Sequence, residues 1–249
     1  MDSGDYNIWF FPGLIVRPSR YSELCDGISR LYSLDVAGYC PPGVGERRDD
    51  TCDGAPESLA RDAISTLPAT PRAVVAHSWG CHIARRVALE LDSVRAVVEI
   101  DPRIVPVRQN AAALDDIPDG FPDRASLLAA YAERGSGEDE IEWDWWEESA
   151  EGSFRLAFSR RQIAACLGAW PLPSPVDAWE RLAPRAGITV VRTLGHSINS
   201  AEDFARISQL AGVTVLEAPG VHHRMGKRDQ GTILQLLSAH GPLGDRLGR

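Results

Sequence analysis

A chain of 249 residues with 44% hydrophobic and 24% charged residues has the balance of a soluble globular protein able to bury a full core. Its net charge of −9, with no cluster of basic residues, argues against a nucleic-acid partner, because phosphate contacts need a basic face. The amino-terminal segment is acidic and its apolar run is too short for a signal peptide or a membrane span, so no membrane partner and a cytoplasmic location are expected.

Short apolar runs alternate with helical periodicity along the first 102 residues. "YNIWFFPG" (6–13) reads as a strand ending in a Pro-Gly turn, "YSELCDGISRLY" as a helix, and "SLDVAGY" as a second strand that breaks at "CPPGVGERRDD". A helix follows over 56–67, then the strand "RAVVAHS", a helix over 80–91 and the strand "VRAVVEID". The alternation resumes near residue 185 with the strand "GITVVRTLG", the helix "SAEDFARISQLA", the strand "VTVLEAPG" and a last helix over 229–239. Apolar strands separated by helices predict parallel βαβ units with helices on both faces of the sheet. The five cysteines (Cys25, Cys40, Cys52, Cys81, Cys166) lack metal-ligand spacing and are expected as reduced thiols, although Cys40 and Cys52 flank a loop and could pair.

Residues 103–184 differ. Helical pieces ("RASLLAAYAERG", "EDEIEWDWWEESA", "SRRQIAACLGAW") lie between Pro and Gly clusters, with no candidate for a buried strand. The reading is a helical insertion between two strands of one sheet, giving a core of 1–102 and 185–249 and a cap of 103–184. Five of the seven tryptophans fall in it: Trp143, Trp145, Trp146, Trp170 and Trp179. They pack the insertion onto the core, or some of them, Trp145 and Trp146 foremost, line a crevice that the insertion roofs.

At the end of the third strand, "AHSWG" (76–80) has a small residue at each end of a serine-centred pentapeptide. Small residues are needed there because a sharp strand-to-helix turn brings backbones together, and the turn lifts the Ser78 oxygen above the sheet. The following helix would aim its positive end at a developing oxyanion. A hydroxyl is a poor nucleophile without a base, so a histidine is expected on a later loop at the same sheet edge, and "LEAPGVHHRMG" supplies His222 and His223.

Here the sequence resembles the α/β-hydrolase superfamily, in its Pro-Gly turn after the last strand, in "WFFPGLIV", where Pro12-Gly13 stands for the family's His-Gly, and in "GVGERRDD". The resemblance implies an α/β-hydrolase fold with a sheet shorter than usual and places the base at His223. It also implies an oxyanion hole from the backbone N–H groups of Leu14 and Trp79, a pocket floored by Phe11 and Leu14, and a His77 that packs under the turn or lines the pocket and is not the base. The acid departs from the common pattern: Ser197 occupies its usual place, with Asn199 nearby, and Asp101 at the end of "VVEID" is the candidate, as in relatives that take the acid from that earlier strand. Asp101 could instead only cap the strand before Pro102.

Among the other histidines, His82 reads as a buried polar contact and His196 as a residue that could touch substrate. No metal site, dinucleotide fingerprint or P-loop is present, so no cofactor is expected. The expected chemistry is cleavage of an ester or thioester of a small, largely apolar molecule through an acyl-enzyme, by a monomer or homodimer. Lactonase, carbon–carbon bond hydrolase and non-hydrolytic cyclase or lyase reactions use the same constellation, and a non-catalytic ligand-binding protein could retain the pocket.

Overall fold

The computed structural model describes residues 7–243 apart from 69, 106–110, 134, 136, 137, 139, 140, 142, 170–173 and 196, so Trp170 and His196 lie outside the described residues. The chain runs β1 (Asn7–Phe11), α1 (Ser22–Tyr32), β2 (Asp35–Gly38), α2 (Pro56–Thr66), β3 (Pro71–His77), α3 (Gly80–Glu90) and β4 (Ala96–Ile100). An insertion follows, containing β5 (Gly120–Phe121), α4 (Arg124–Glu133), β6 (Trp146–Glu148), β7 (Phe154–Leu156), α5 (Arg160–Gly168) and α6 (Val176–Leu182). The chain then completes the sheet with β8 (Gly187–Thr193), α7 (Ala201–Ile207), β9 (Val213–Ala218) and α8 (Lys227–His240).

Six strands form one wholly parallel sheet in the order β2-β1-β3-β4-β8-β9. The central strands are predominantly apolar because both of their faces are covered. Along β3, Ala73 and Val75 pack toward α1 and α8 with Ile8, Phe10, Ile28 and Leu237, while Val74 and Ala76 pack toward α2, α3 and α7 with Trp9, Leu59, Ile83 and Phe204. Local signals set the helix ends. Pro56 opens α2, Ser33 closes α1 in the left-handed region at φ 51°, and Ser200 caps α7 in a reciprocal box with Asp203.

The insertion is not wholly helical. "EDEIEWDWWEESA" forms a short 3₁₀ turn at Trp143–Trp145 and then β6, which pairs with β7 in a three-stranded antiparallel sheet of order β5-β7-β6. Bulky aromatic residues favour a pleated surface, and burial falls along β6 from the buried Trp146 to the exposed Glu148 at its end. Gly152, at φ 81°, supplies the left-handed residue of the hairpin, closed by Ser149 N–H donating to Ser153 O at 2.8 Å. The insertion is tied to the glycine-containing loop after β2: Gly45 N–H donates to Ala157 O and Ser159 N–H to Gly43 O, both at 2.7 Å. The helix α6, inside the span expected for the cap, instead packs against α3 with Trp179 and Leu182 buried, and so belongs to the layer covering the sheet.

All five cysteines are free, so Cys40 and Cys52 do not pair; the Cys40 thiol donates to Val44 O and Cys52 Sγ accepts from Gln162. No helix among the described residues is long and apolar enough to cross a membrane.

Candidate active site

β3 delivers His77 and Ser78 to the carboxyl edge of the sheet. Ser78 sits at φ 52°, a conformation that costs a non-glycine residue about 1–3 kcal/mol. The turn is held by Ser78 N–H donating to Ile100 O at 2.9 Å, and α3 starts two residues on. Gly80 allows this: a Cβ there would stand 2.3 Å from Pro12 O and 2.5 Å from Phe11 O, so a larger residue would push α3 off the end of β1.

Three loops converge on that serine. Ser78 Oγ lies 3.0 Å from His223 Nε2, and His223 Nδ1 lies 2.7 Å from Asp101 Oδ2. His223 comes from the loop between β9 and α8, and Asp101 is the residue after β4. Asp101 is fully buried, and like Ser78 it is left-handed, at φ 44°. Thr193 Oγ1 donates to its Oδ2 at 2.9 Å and Ser197 Oγ to its Oδ1 at 2.6 Å. Burial alone would raise its pKa, but the hydrogen bonds from His223, Ser197 and Thr193 outweigh it and hold the carboxyl below its ordinary value. An ionised Asp101 fixes the proton on His223 Nδ1, which leaves Nε2 able to accept the Ser78 proton.

His77 lies beside this relay, its ring centroid 5.0 Å from that of His223. Tyr21 OH is 2.7 Å from His77 Nδ1. Burial pushes the phenol pKa upward, so Tyr21 is the donor, and burial lowers His77 to about 3, so that ring is neutral and its Nδ1 accepts. Gly13 leaves room for the pair, since a Cβ there would meet His77 Nδ1 at 3.2 Å and Tyr21 OH at 3.5 Å. His82 is buried away from the relay, with its Nδ1 2.9 Å from Arg85, which also bonds the buried Glu99 at 2.6 Å.

Two cavities meet at Ser78 and His223. The larger, about 220 Å³, is bounded by Gly13, Val16, Arg20, Tyr21, Trp145 and Arg224; the smaller, about 150 Å³, by Trp79, Arg103, Leu167 and Ile198, with Leu14 shared between them. Neither the Leu14 nor the Trp79 N–H is used in a backbone hydrogen bond among the described residues. Arg20 joins the parts of the site: its guanidinium pairs with Asp144 of the insertion and donates to Arg224 O at 2.9 Å, next to His223.

Of the expected site residues, the fold brings Ser78, His223, Asp101, Leu14, Trp79, His77 and Trp145 to these cavities or directly beneath them. Phe11 is not among them: it is fully buried and its ring packs at a tilt of 51° against Tyr39. Trp146 is also elsewhere. As a β6 residue it points opposite to Trp145, packs edge-on against Phe121 and bonds Tyr131 OH at 3.3 Å. Sequence reasoning missed Tyr21, Arg20, Arg103 and Thr193; of these only Thr193, at the end of β8, has a positional signal, since alternating strand residues place it beside Asp101. Among the described residues no group of three or more His, Cys, Asp or Glu side chains is placed to hold a metal ion.

A parallel α/β sheet with a left-handed serine between strand and helix, and a histidine and a carboxylate on later loops, defines the class. Residues 6–231 match the alpha/beta hydrolase family, and the chain belongs to that family. No curated protein matches the sequence. Solved structures share the fold at low identity. E-2-(acetamidomethylene)succinate hydrolase aligns with a TM-score of 0.69 at 20% identity over 97% of this chain and 92% of that one. A marine microorganism esterase aligns with a TM-score of 0.71 at 13% identity over 97% and 96%. The N-formylmaleamic acid deformylase of Pseudomonas putida S16 aligns with a TM-score of 0.66 at 16% identity over 94% and 92%.

Proposed function

We propose that the protein is a serine hydrolase that cleaves an ester or thioester of a small, largely apolar molecule through an acyl-enzyme. The observation that carries this reading is the continuous relay Ser78–His223–Asp101, with distances of 3.0 and 2.7 Å. Ser78 Oγ attacks the carbonyl carbon while His223 Nε2 takes its proton, and the same proton then protonates the departing alcohol or thiol. Water, deprotonated by His223, adds to the acyl-enzyme and releases the acid and the free serine. Asp101 holds the imidazole in one tautomer and stabilises its charged form. The backbone N–H groups of Leu14 and Trp79, both at the smaller cavity, receive the oxyanion. The insertion acts as a cap, contributing Trp145 and Leu167 to the cavity walls.

A panel of alkyl esters, acyl thioesters, lactones and amides tests the reaction class. Turnover of esters or thioesters by the wild type, reduced by a factor on the order of 10⁴ or more in Ser78→Ala, is expected. Equal rates in the two proteins would remove the proposal.

A further inference from the structure

Asp101, the acid of the proposed relay, sits in a strained stretch of backbone. At φ 44° it has a conformation that a non-glycine residue keeps only where its surroundings determine it. On its amino-terminal side the sheet does this, since Asp101 N–H donates to Val191 O of β8 at 2.8 Å. On its carboxyl-terminal side the ladder stops, because Pro102 has no N–H with which to continue it.

Asn199 takes over there. Its side chain donates to Pro102 O at 2.6 Å and accepts from Ile104 N–H at 2.8 Å, so a single amide grips the backbone just past Asp101 at two points. Two neighbours in the same loop hold the carboxylate itself: Ser197 Oγ donates to Oδ1 at 2.6 Å and Ile198 N–H to Oδ2 at 3.4 Å. Asn199 N–H donates in turn to Ser197 Oγ at 3.2 Å, which joins the two grips, and Ser200, the cap of α7, fixes the loop from behind. The loop also reaches the base. Gly195 N–H donates to Val221 O at 2.8 Å, close to His223 in the chain, and a Cβ at Gly195 would stand 2.8 Å from that same oxygen. The connection between β8 and α7 therefore touches the chain beside Asp101 and the chain beside His223, although neither group belongs to it.

We propose that Asn199 is a positioning residue: by holding Pro102 and Ile104 it sets Asp101 at 2.7 Å from His223, the contact on which activation of Ser78 depends. Asn199 lines neither of the two cavities at Ser78 and acts through Asp101. This rests on the serine-hydrolase reading above and deepens it.

The test reads the contact between Asp101 and His223 in two ways. The first is the rate at which a fluorophosphonate labels Ser78: Ser78 Oγ bonds to phosphorus, fluoride leaves, and His223 takes the serine proton. Asn199→Ala should slow labelling by roughly ten- to a hundredfold, the scale on which a small displacement of a reacting group costs rate. In an Asp101→Asn background the same substitution should add little, because a residue that works through Asp101 then has nothing left to position. The second is the far-downfield proton resonance of an imidazole N–H bonded to a carboxylate, expected in the wild type, absent from Asp101→Asn, and shifted or broadened in Asn199→Ala. A substitution that only weakened the fold would lower the urea midpoint and leave both readings as in the wild type. If Asn199→Ala does not fold, Asn199→Asp keeps the acceptor for Ile104 and loses the donor to Pro102 O, and it should fall short of the wild type in both. An unchanged rate and resonance, or an equal loss in the Asp101→Asn background, would overturn the positioning role while leaving the serine mechanism in place. A wild type that shows the resonance without labelling would remove the serine reading and leave the resonance to decide on Asn199; a wild type with neither would remove both.

Discussion

Asp101 and His223 are 122 residues apart in the chain, and a 2.7 Å hydrogen bond between buried carboxylate and imidazole joins them across the edge of the sheet. The carboxylate comes from the end of β4, one strand earlier than the loop after β8 where the family resemblance leads one to look. That loop supplies Ser197 instead, and Ser197 donates to Asp101 Oδ1 at 2.6 Å. Asp101→Asn should therefore leave the protein folded and lower kcat by roughly 10² to 10⁴, because an amide neither fixes the imidazole tautomer nor stabilises its charge. Ser197→Ala should cost much less. Wild-type kcat in Asp101→Asn, measured on whichever ester the enzyme turns over best, would return Asp101 to the role of a strand cap.

Tyr21 orients the neutral His77 ring beneath His223 through one 2.7 Å bond. Tyr21→Phe keeps the packing with Phe10 but leaves a buried acceptor without its donor, at a cost of about 1–3 kcal/mol. Urea unfolding should show that loss, with a smaller change in kcat than Asp101→Asn produces. A variant as stable as the wild type would mean that His77 Nδ1 finds another donor.

How much of this could be read from the chain depends on the length of each element. β1, β3, β4 and β8 are legible because strands buried on both faces are predominantly apolar runs, interrupted in β4 only by the buried Glu99, and Ser78 is legible because the turn demands small neighbours. β5, β6 and β7 are two or three residues long, too short to show alternation, and "WDWW" fits a helical pattern equally well. The consequence reached the site: in a helix Trp145 and Trp146 could share a face, whereas at the entry to a strand they point apart. α6 is seven residues between prolines and the sheet, with no full amphipathic repeat to reveal it. Arg20, Tyr21 and Arg103 lie in a 3₁₀ turn and a loop, where residue spacing carries no direction.

That difference between neighbouring tryptophans is measurable. Trp145→Ala should alter the preference among esters of different acyl size with little loss of stability, because Trp145 bounds the larger cavity. Trp146→Ala should lower stability by about 3–5 kcal/mol, the range for truncating a buried aromatic, and leave the order of preference unchanged. The reverse pattern in a paired ester series and urea titration would show that the two residues had been assigned to the wrong sides.

His82 is buried with its pKa driven well below the ordinary histidine value, mainly by desolvation and then by Arg85. The unfolded chain takes up a proton near pH 6.5 that the folded protein refuses, so this histidine lowers stability progressively as pH falls below that value. His82→Gln keeps an acceptor for Arg85 without the titration. Its cost relative to the wild type should be smaller at pH 5.5 than at pH 7.5 by about 1.4 kcal/mol, one pH unit of linkage. An equal cost at both pH values, from urea midpoints, would contradict a neutral buried imidazole.

The central claim is that Ser78 is a nucleophile activated by His223, and covalent labelling with a fluorophosphonate, read by intact-protein mass spectrometry and peptide mapping, tests it most directly. One adduct per chain on Ser78 is predicted, absent from Ser78→Ala and formed much more slowly in His223→Ala. A wild-type protein that stays unmodified, or a Ser78→Ala protein that labels as fast as the wild type, would contradict it.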